Sequence, residues 1–288
     1  METTGSERGY LHEQFRLFHT VDQKELRVDW HFHTFDKLVF FRNGHVTYTV
    51  ESQAVSLKPG DLLVISHGQL HRMRSEADTP YERYILYLNS AFLAALAPEA
   101  GGLDACFARA RSTGQSLLRL PESDRAAVYS LLNRMEKTLQ ENSPYAPALS
   151  RALLTELLIL ICRAPERGEA AHPDAPSDEK IAQALHYIQA HLGEKLSCDA
   201  MAARLHMSLS SFQHRFKEAT GYAPYTYIKL KRLLYASELL AAGEGALSAG
   251  RRCGYTDHSA FCHAFTAQFG MPPSAFRPSS DALTGPQE

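Results

Sequence analysis

The chain has 288 residues, 44% hydrophobic and 22% charged, with a formal net charge of −2. Those proportions exclude a largely disordered, collagen-like or disulfide-built protein, and at roughly 150 residues per domain the length suggests two domains. No apolar run reaches the roughly 18 residues of a membrane span, and the start METTGSERGYLHEQF lacks the basic-then-apolar layout of a secretory signal. Five cysteines, at 106, 162, 198, 253 and 262, show no C-x-x-C spacing. Reduced thiols in a cytoplasmic protein with no membrane association are the expectation. The charge is unevenly spread. Residues 1–177 hold 19 Lys and Arg against 22 Asp and Glu, whereas residues 178–280 hold 11 against 8 and carry six of the 14 histidines. A basic C-terminal part points mildly to an anionic partner.

Up to about residue 90 the apolar pattern is short and strand-like. KLVFF (37–41) and VTYTV (46–50) flank Arg42-Asn43-Gly44-His45. Asn-Gly between β-rich runs predicts a hairpin, because both residues tolerate positive φ. AVSL (54–57), a turn at Lys58-Pro59-Gly60-Asp61, DLLVI (61–65), a turn at His67-Gly68 and RYILYL (83–88) follow. Short strands at this spacing predict a small barrel or sandwich over about 10–90. Residues 117–120 read as a short extended piece. Ser123 reads as a helix N-cap, with Val128, Leu131, Leu132, Met135 and Leu139 recurring at helical spacing behind it. A second helix, about 147–163, is more apolar than one buried face requires. It is either sandwiched in the core or meets a partner chain. Residues 164–178, rich in Pro, Ala and charge and without a period, read as a linker. The organisation expected is a domain at 1–163, with its helices over about 122–163, then the linker at 164–178 and a helical block at 179–280.

That block repeats itself. A shift of 49 positions overlays Phe212 on Phe261, His214 on His263, Phe216 on Phe265, Gly221 on Gly270, Pro224 on Pro273 and Tyr227 on Phe276. A repeated supersecondary unit is implied, and each copy has the logic of a helix-turn-helix. In the first, Ser197-x-Asp199 opens a helix with Met201, Ala202 and Leu205 inward, and Ser208 caps the next helix. Phe212 and Phe216 face inward there, while Ser210, Ser211, Gln213, His214 and Lys217 face out, and Gly221 supplies a left-handed cap. In the second, Phe261 and Phe265 are the buried pair, His258, Ser259, Cys262 and His263 point out, and Gly270 closes. Hydroxyls, amides and basic groups on one helix face suit base edges and phosphates in a major groove. A single such face reads equally well as a solvated surface; the duplication favours the groove. A connecting helix over 225–240 would set the two reading helices about 34 Å apart, one groove repeat.

On these residues, 180–278 resemble the DNA-binding domain of AraC/XylS-type transcription regulators, two helix-turn-helix units joined by a long helix. The segments that carry the resemblance are LSCDAMAARLHMSLSSFQHRFKEATGYAPYTYIKLKRLLYASELL and CGYTDHSAFCHAFTAQFGMPPSAFR. The first 90 residues resemble the cupin-like sensing barrel found in the same family. The resemblance implies a multidomain α+β fold, with an N-terminal cupin-like β-barrel plus helices and a C-terminal all-α double helix-turn-helix domain. It implies a sequence-specific DNA-binding regulator rather than an enzyme, with no cofactor. The partners implied are double-stranded DNA, a small-molecule effector, RNA polymerase and a second copy in a homodimer. The DNA-facing set is then Ser208, Ser210, Ser211, Gln213, His214, Lys217, Arg232, His258, Ser259, Cys262 and His263. Lys229, Lys231, Arg251 and Arg252 are further candidates for phosphate contacts, and Arg232 stands at a family position that also has a structural use. The chain departs from the family at His214 and His263, where arginine is common, and at Thr266. A neutral imidazole adds little to the phosphate term, so binding is expected to gain on acidification. Ala246, Ala249 and Gly250 stand where the family has larger apolar residues, which predicts a loosely packed helix.

In a strand His31 and His33 share one face, and His71 can join them from a neighbouring strand. Three imidazoles in a barrel suit Zn, Fe or Ni. The spacing resembles that of metal-binding cupins, in which a carboxylate ligand follows the second histidine. Here that position is Lys37, which repels a cation, with Asp36 beside it. The expectation is therefore that no metal binds and that His31, His33, Asp36, Tyr48, His71 and Arg72 are polar groups of a small-molecule pocket. The alternative from another class is a metal-dependent cupin enzyme with a fused helical module, its metal on His31, His33 and His71. A third reading makes the barrel a dimerisation scaffold without a ligand.

Overall fold

The structure, a computed structural model, describes residues 6–7, 11, 13–96, 102–164 and 178–276. Two compact units divide between Pro176 and Ser177. The expected linker at 164–178 lies, apart from its two end residues, outside the described residues. Among the described residues no helix is long and apolar enough to cross a membrane.

The first unit runs β1 (Ser6–Glu7), β2 (Phe15–Asp22), β3 (Arg27–Phe32), β4 (Asp36–Asn43), β5 (Val46–Val50), β6 (Gln53–Ser56), β7 (Leu62–Ile65), β8 (His71–Ser75) and β9 (Tyr81–Leu88). Helices α1 (Ser90–Leu96) and α2 (Ala105–Thr113), strand β10 (Leu117–Leu118), and helices α3 (Glu122–Gln140) and α4 (Ala146–Arg163) follow. The strands form two five-stranded sheets, ordered β1-β3-β8-β5-β6 and β10-β7-β4-β9-β2. All pairings are antiparallel except β1 with β3.

Strand β4 organises this unit, because residues 36–41 are buried on both of its faces. With a side-chain period of two, Leu38 and Phe40 turn one way. They join Leu62, Val64, Tyr84 and Leu86 in a core closed by Leu131, Leu132, Leu154, Leu157 and Leu158 of the helices. Val39 and Phe41 turn the other way and join Leu63 and Ile65 with Val46, Tyr48, Val50 and Met73 of the opposite sheet. The second strand set is thus a shared wall between a sheet-on-sheet interior and a sheet-on-helix layer.

Two local expectations are corrected. Asn43-Gly44 does make a tight reversal, with Gly44 at φ +119 and a β-carbon there lying 3.0 Å from the Tyr81 backbone. It closes no hairpin, however: β4 pairs with β7 and β9, whereas β5 pairs with β6 and β8. A strand apolar on both faces takes the middle of a covered sheet, and the reversal carries the chain to the other sheet. Ser123 is not the α3 cap, since the helix begins at Glu122 behind Pro121. Glu122 and Asp124 fill its first turn, where carboxylates oppose the helix dipole favourably.

The second unit is helical: α5 (Glu179–Ala190), α6 (Cys198–Arg204), α7 (Leu209–Thr220), α8 (Pro224–Ala241), α9 (Ala246–Arg252) and α10 (His258–Phe269). Helices α5, α6, α7 and α10 open on side-chain caps, Asp178 accepting from Ile181 N, Ser197 from Ala200 N, Ser208 from Ser211 N and Asp257 from Ala260 N. Gly221 and Gly270 end α7 and α10 in the left-handed region at φ 80 and 72. The small residues of α9 tighten its packing, contrary to the expectation. Ala249 is fully buried, and the Phe261 ring lies so close to Gly250 that a β-carbon there would sit 2.9 Å from it.

Candidate nucleic-acid interface and barrel interior

In both helix-turn-helix units the rings inside the second helix fix its rotation about its axis. Phe212 and Phe216 are fully buried with centroids 5.5 Å apart, and Phe261 and Phe265 are fully buried at 5.7 Å. Behind each pair stands an aromatic from the following segment. Tyr227 lies edge-on to Phe216 at 5.3 Å and 79°, and Phe276 lies edge-on to Phe265 at 5.4 Å and 88°. The 49-residue repeat is therefore a repeat of packing. With those rings inward, Ser208, Ser210, Ser211, Gln213, His214 and Lys217 are exposed on one unit, and His258, Ser259 and His263 on the other. Cys262 is half-buried, its Sγ 3.6 Å from His258 Nε2.

Not every basic group faces solvent. Arg232 of α8 donates from Nε to the Leu192 carbonyl at 2.9 Å, from Nη1 to Gly254 at 3.3 Å, and from Nη2 to the Glu194 carbonyl. It ties the α5–α6 loop to the second turn. Arg215 of α7 grips both oxygens of Asp178 at 2.7 Å, so the α5 cap also anchors the first reading helix. Arg252 pairs with Glu244 at 2.8 Å and with the Tyr235 hydroxyl at 3.0 Å. Lys231 is half-buried over the Tyr227 ring, whereas Lys229 and Arg251 are exposed.

In the barrel, His31 of β3 and His71 of β8 are direct cross-strand partners. His33, just past β3, completes a cluster with centroid separations of 4.1–5.0 Å. All three are buried. His31 Nδ1 lies 2.8 Å from the Asp29 carbonyl and His71 Nδ1 lies 3.0 Å from the Gln69 carbonyl. A carbonyl can only accept, so Nδ1 carries the proton in both rings. His33 stacks on Phe35 at 4.6 Å. Burial holds the His71 ring well below its ordinary pKa, and the charges of Lys37, His31 and His33 act in the same direction. Lys37 projects here, its Nζ over the Tyr48 ring; burial, aided by the nearby Arg83, lowers its amine to about 8. The Tyr48 hydroxyl meets that of Tyr81 at 3.1 Å.

Of the six expected pocket residues, His31, His33 and His71 come together, Tyr48 is linked to them through Lys37, and Asp36 and Arg72 do not join them. Asp36 faces the helix layer, accepting from His67 N at 2.8 Å, His67 Nδ1 at 2.9 Å, Ser66 Oγ at 3.2 Å and Ser90 Oγ at 2.8 Å. Arg111 of α2 reaches the other His67 nitrogen at 3.0 Å. Arg72 is exposed, lying over Trp30 and donating to Thr49 Oγ1. Tyr81 and the His67–Ser90–Arg111 group are absent from the expected site, and Lys37 was expected there only as a group that repels a cation. Strand alternation from Val39 places Lys37 inside; nothing local in the sequence places the others.

Residues 17–158 match the family model described as an AraC-like ligand binding domain, and residues 201–279 match the one described as a helix-turn-helix domain. The chain belongs to the AraC family of transcription regulators. Among AraC-family relatives, the HTH-type transcriptional activator RhaS of Citrobacter koseri is 25% identical over 256 residues, covering 88% of each chain. The HTH-type transcriptional activator RhaR of Mannheimia succiniciproducens is 24% identical over 263 residues, 90% of this chain and 91% of its own. Among solved structures, the DNA-binding domain of AdpA in complex with a target DNA is 31% identical, with a TM-score of 0.33 over 34% of this chain and 88% of its own.

Proposed function

We propose that this AraC-family protein is a cytoplasmic, sequence-specific transcription activator that reads successive major grooves with α7 and α10. The observation that carries the reading is the duplicated, side-chain-capped helix, backed in both copies by a buried phenylalanine pair and a third ring edge-on to it, and exposing hydroxyl, amide and imidazole groups on its outer face. Ser208, Ser210, Ser211, Gln213, His214 and Lys217 would meet one half-site, and His258, Ser259, Cys262 and His263 the other. Arg232 acts behind them by holding the second turn in place.

The barrel interior around His31, His33, Tyr48 and His71 would take the effector. Asp36 and Arg72 act elsewhere in the domain, Asp36 by tying the barrel to α1. A ligand shifts DNA binding only through different affinity for the two states of the protein. A second copy would pack on the outer face of α4, where Leu149 and Ile159 remain 42% and 41% exposed. RNA polymerase is the onward partner of an activator.

Fluorescence anisotropy of the full-length chain, on DNA from its own upstream region and on scrambled DNA across a salt series, tests the reading. A sequence preference with affinity falling steeply as salt rises is expected. Equal affinity for both DNAs at every salt concentration would refute it. Melting curves with candidate small molecules test the sensing role, since a ligand that binds only the folded state raises the midpoint.

A further inference from the structure

We propose that Cys106 and Cys162 are a peroxide-sensitive thiol pair, which hydrogen peroxide converts to a reversible disulfide joining the first turn of α2 to the last turn of α4. The pair lies outside both the reading helices and the barrel interior, so its chemistry does not depend on the regulator reading. Cys106 is buried and Cys162 half-buried, both against the apolar cluster of the sheet-on-helix layer. Helix α2 packs on α4. Cys162 Sγ lies 3.6 Å from the Leu103 carbonyl, two residues ahead of α2, and donates to it. The Cys106 thiol, one residue into that helix, is in direct side-chain contact with the Cys162 thiol.

The two sulfurs differ in the way that oxidation requires. The Cys106 side chain, together with the amides of Cys106 and Ala105 at the start of α2, holds Cys162 below the ordinary thiol pKa against the effect of burial. Amides at a helix start favour a thiolate. The Cys162 thiol, burial and the charge of Asp36 push Cys106 well up. A more accessible sulfur with thiolate character beside a protonated second thiol is the arrangement that captures a sulfenic acid as a disulfide. The Cys162 thiolate attacks one oxygen of hydrogen peroxide. An S–O bond forms, the O–O bond breaks, and the departing hydroxide takes up a proton to become water. The Cys106 sulfur then attacks the Cys162 sulfur and gives up its proton, and the sulfenic oxygen leaves with it as a second water. Two thiols and one peroxide thus yield one disulfide and two waters, with two electrons passing from the sulfurs to the peroxide. In a reducing compartment such a bond is transient.

The test treats the reduced full-length chain with a small excess of hydrogen peroxide, then counts thiols in denaturant and maps peptides without reductant. Free thiols are expected to fall from five to three, with Cys106 and Cys162 in one cross-linked peptide pair and all five recovered in dithiothreitol. Cys106→Ser should stop at a sulfenic acid on Cys162 that dimedone traps. Cys162→Ser should lose its first thiol about tenfold more slowly than the parent. Cys198→Ser combined with Cys262→Ser removes the half-buried thiols of the helical unit and should leave the cross-link unchanged. Circular dichroism establishes that each variant is folded, and the peptide map of the parent chain decides the outcome even where a variant is not. A cross-link between any other pair or between chains, thiol loss that dithiothreitol does not reverse, or five thiols retained under excess peroxide would each overturn the proposal.

Discussion

Arg232 illustrates how a basic side chain on a basic helix can be spent inside the protein. Its guanidinium serves three backbone carbonyls, and hydrogen bonds from a charged donor contribute about 1.5–3 kcal/mol each, without full additivity. Arg232→Met is therefore expected to lower unfolding free energy by about 3 kcal/mol in urea titration. The salt slope of DNA binding at a temperature where the variant is folded should stay unchanged. Exposed Lys229 should behave the opposite way: Lys229→Ala leaves stability within about 0.5 kcal/mol and lowers the slope by about 0.9 if it meets a phosphate. Asp36 gives a pH signature. Burial alone would raise its carboxyl, but the His67 ring and amide and the Ser90 hydroxyl hold it below the ordinary value. A depressed acid stabilises the fold above its unfolded pKa of about 4 and loses that contribution as pH falls further. Asp36→Asn should melt below the parent at neutral pH, and the gap should close below about pH 4. Neighbours in sequence were the hardest residues to place. Asp36 and Lys37, like His71 and Arg72, sit side by side in a strand and face opposite ways, so proximity in the chain misassigned Asp36 and Arg72 while period two correctly grouped the histidines.

Elements were legible where one pattern decided them. The Ser208 cap of α7 and the paired phenylalanines and terminal glycines of α7 and α10 were readable, because a helix-turn-helix is built from contacts between near neighbours in sequence, while the Asp257 cap of α10 was not picked out. The sheets were harder. Asn43-Gly44 specifies a reversal but not which strands flank it in a sheet, and pairing between β4 and β9 depends on burial from both sides. Strands β2 and β3 carry mixed exposure and so left little apolar signal. Helix α9 was misjudged because small residues were equated with loose packing, whereas Gly250 admits the Phe261 ring to van der Waals contact. Gly250→Leu should cost about 1–3 kcal/mol by overpacking, seen as faster hydrogen exchange across α9 and α10 with α7 unaffected. Asp178→Ala removes both a helix cap and the anchor of Arg215. A loss of about 1–2 kcal/mol is expected in urea unfolding.

At the scale of the molecule, the charge split between the halves becomes a statement about where DNA binding resides. The reading faces carry imidazoles where arginine would add fixed charge, and His214→Arg together with His263→Arg should raise affinity for any DNA and steepen the salt slope by about 0.9 per new phosphate contact. A rise in affinity with no change in slope would place those side chains away from the backbone. The ligand-binding domain has its own whole-body property, which comes from the shared wall. Strand β4 is a partition one residue thick: Val39 and Phe41 pack into the interior between the sheets, and Leu38 and Phe40 press on the helices behind it. Close-packed interiors shift between discrete arrangements more readily than they compress. A guest entering between the sheets and displacing the partition would displace the residues on its outer side with it, since both sets hang from one backbone. Asp36, at the start of that strand, grips the loop at Ser66–His67 and the first turn of α1 together. Such a guest would make the domain a diaphragm, turning pressure on one side into movement on the other without a hinge.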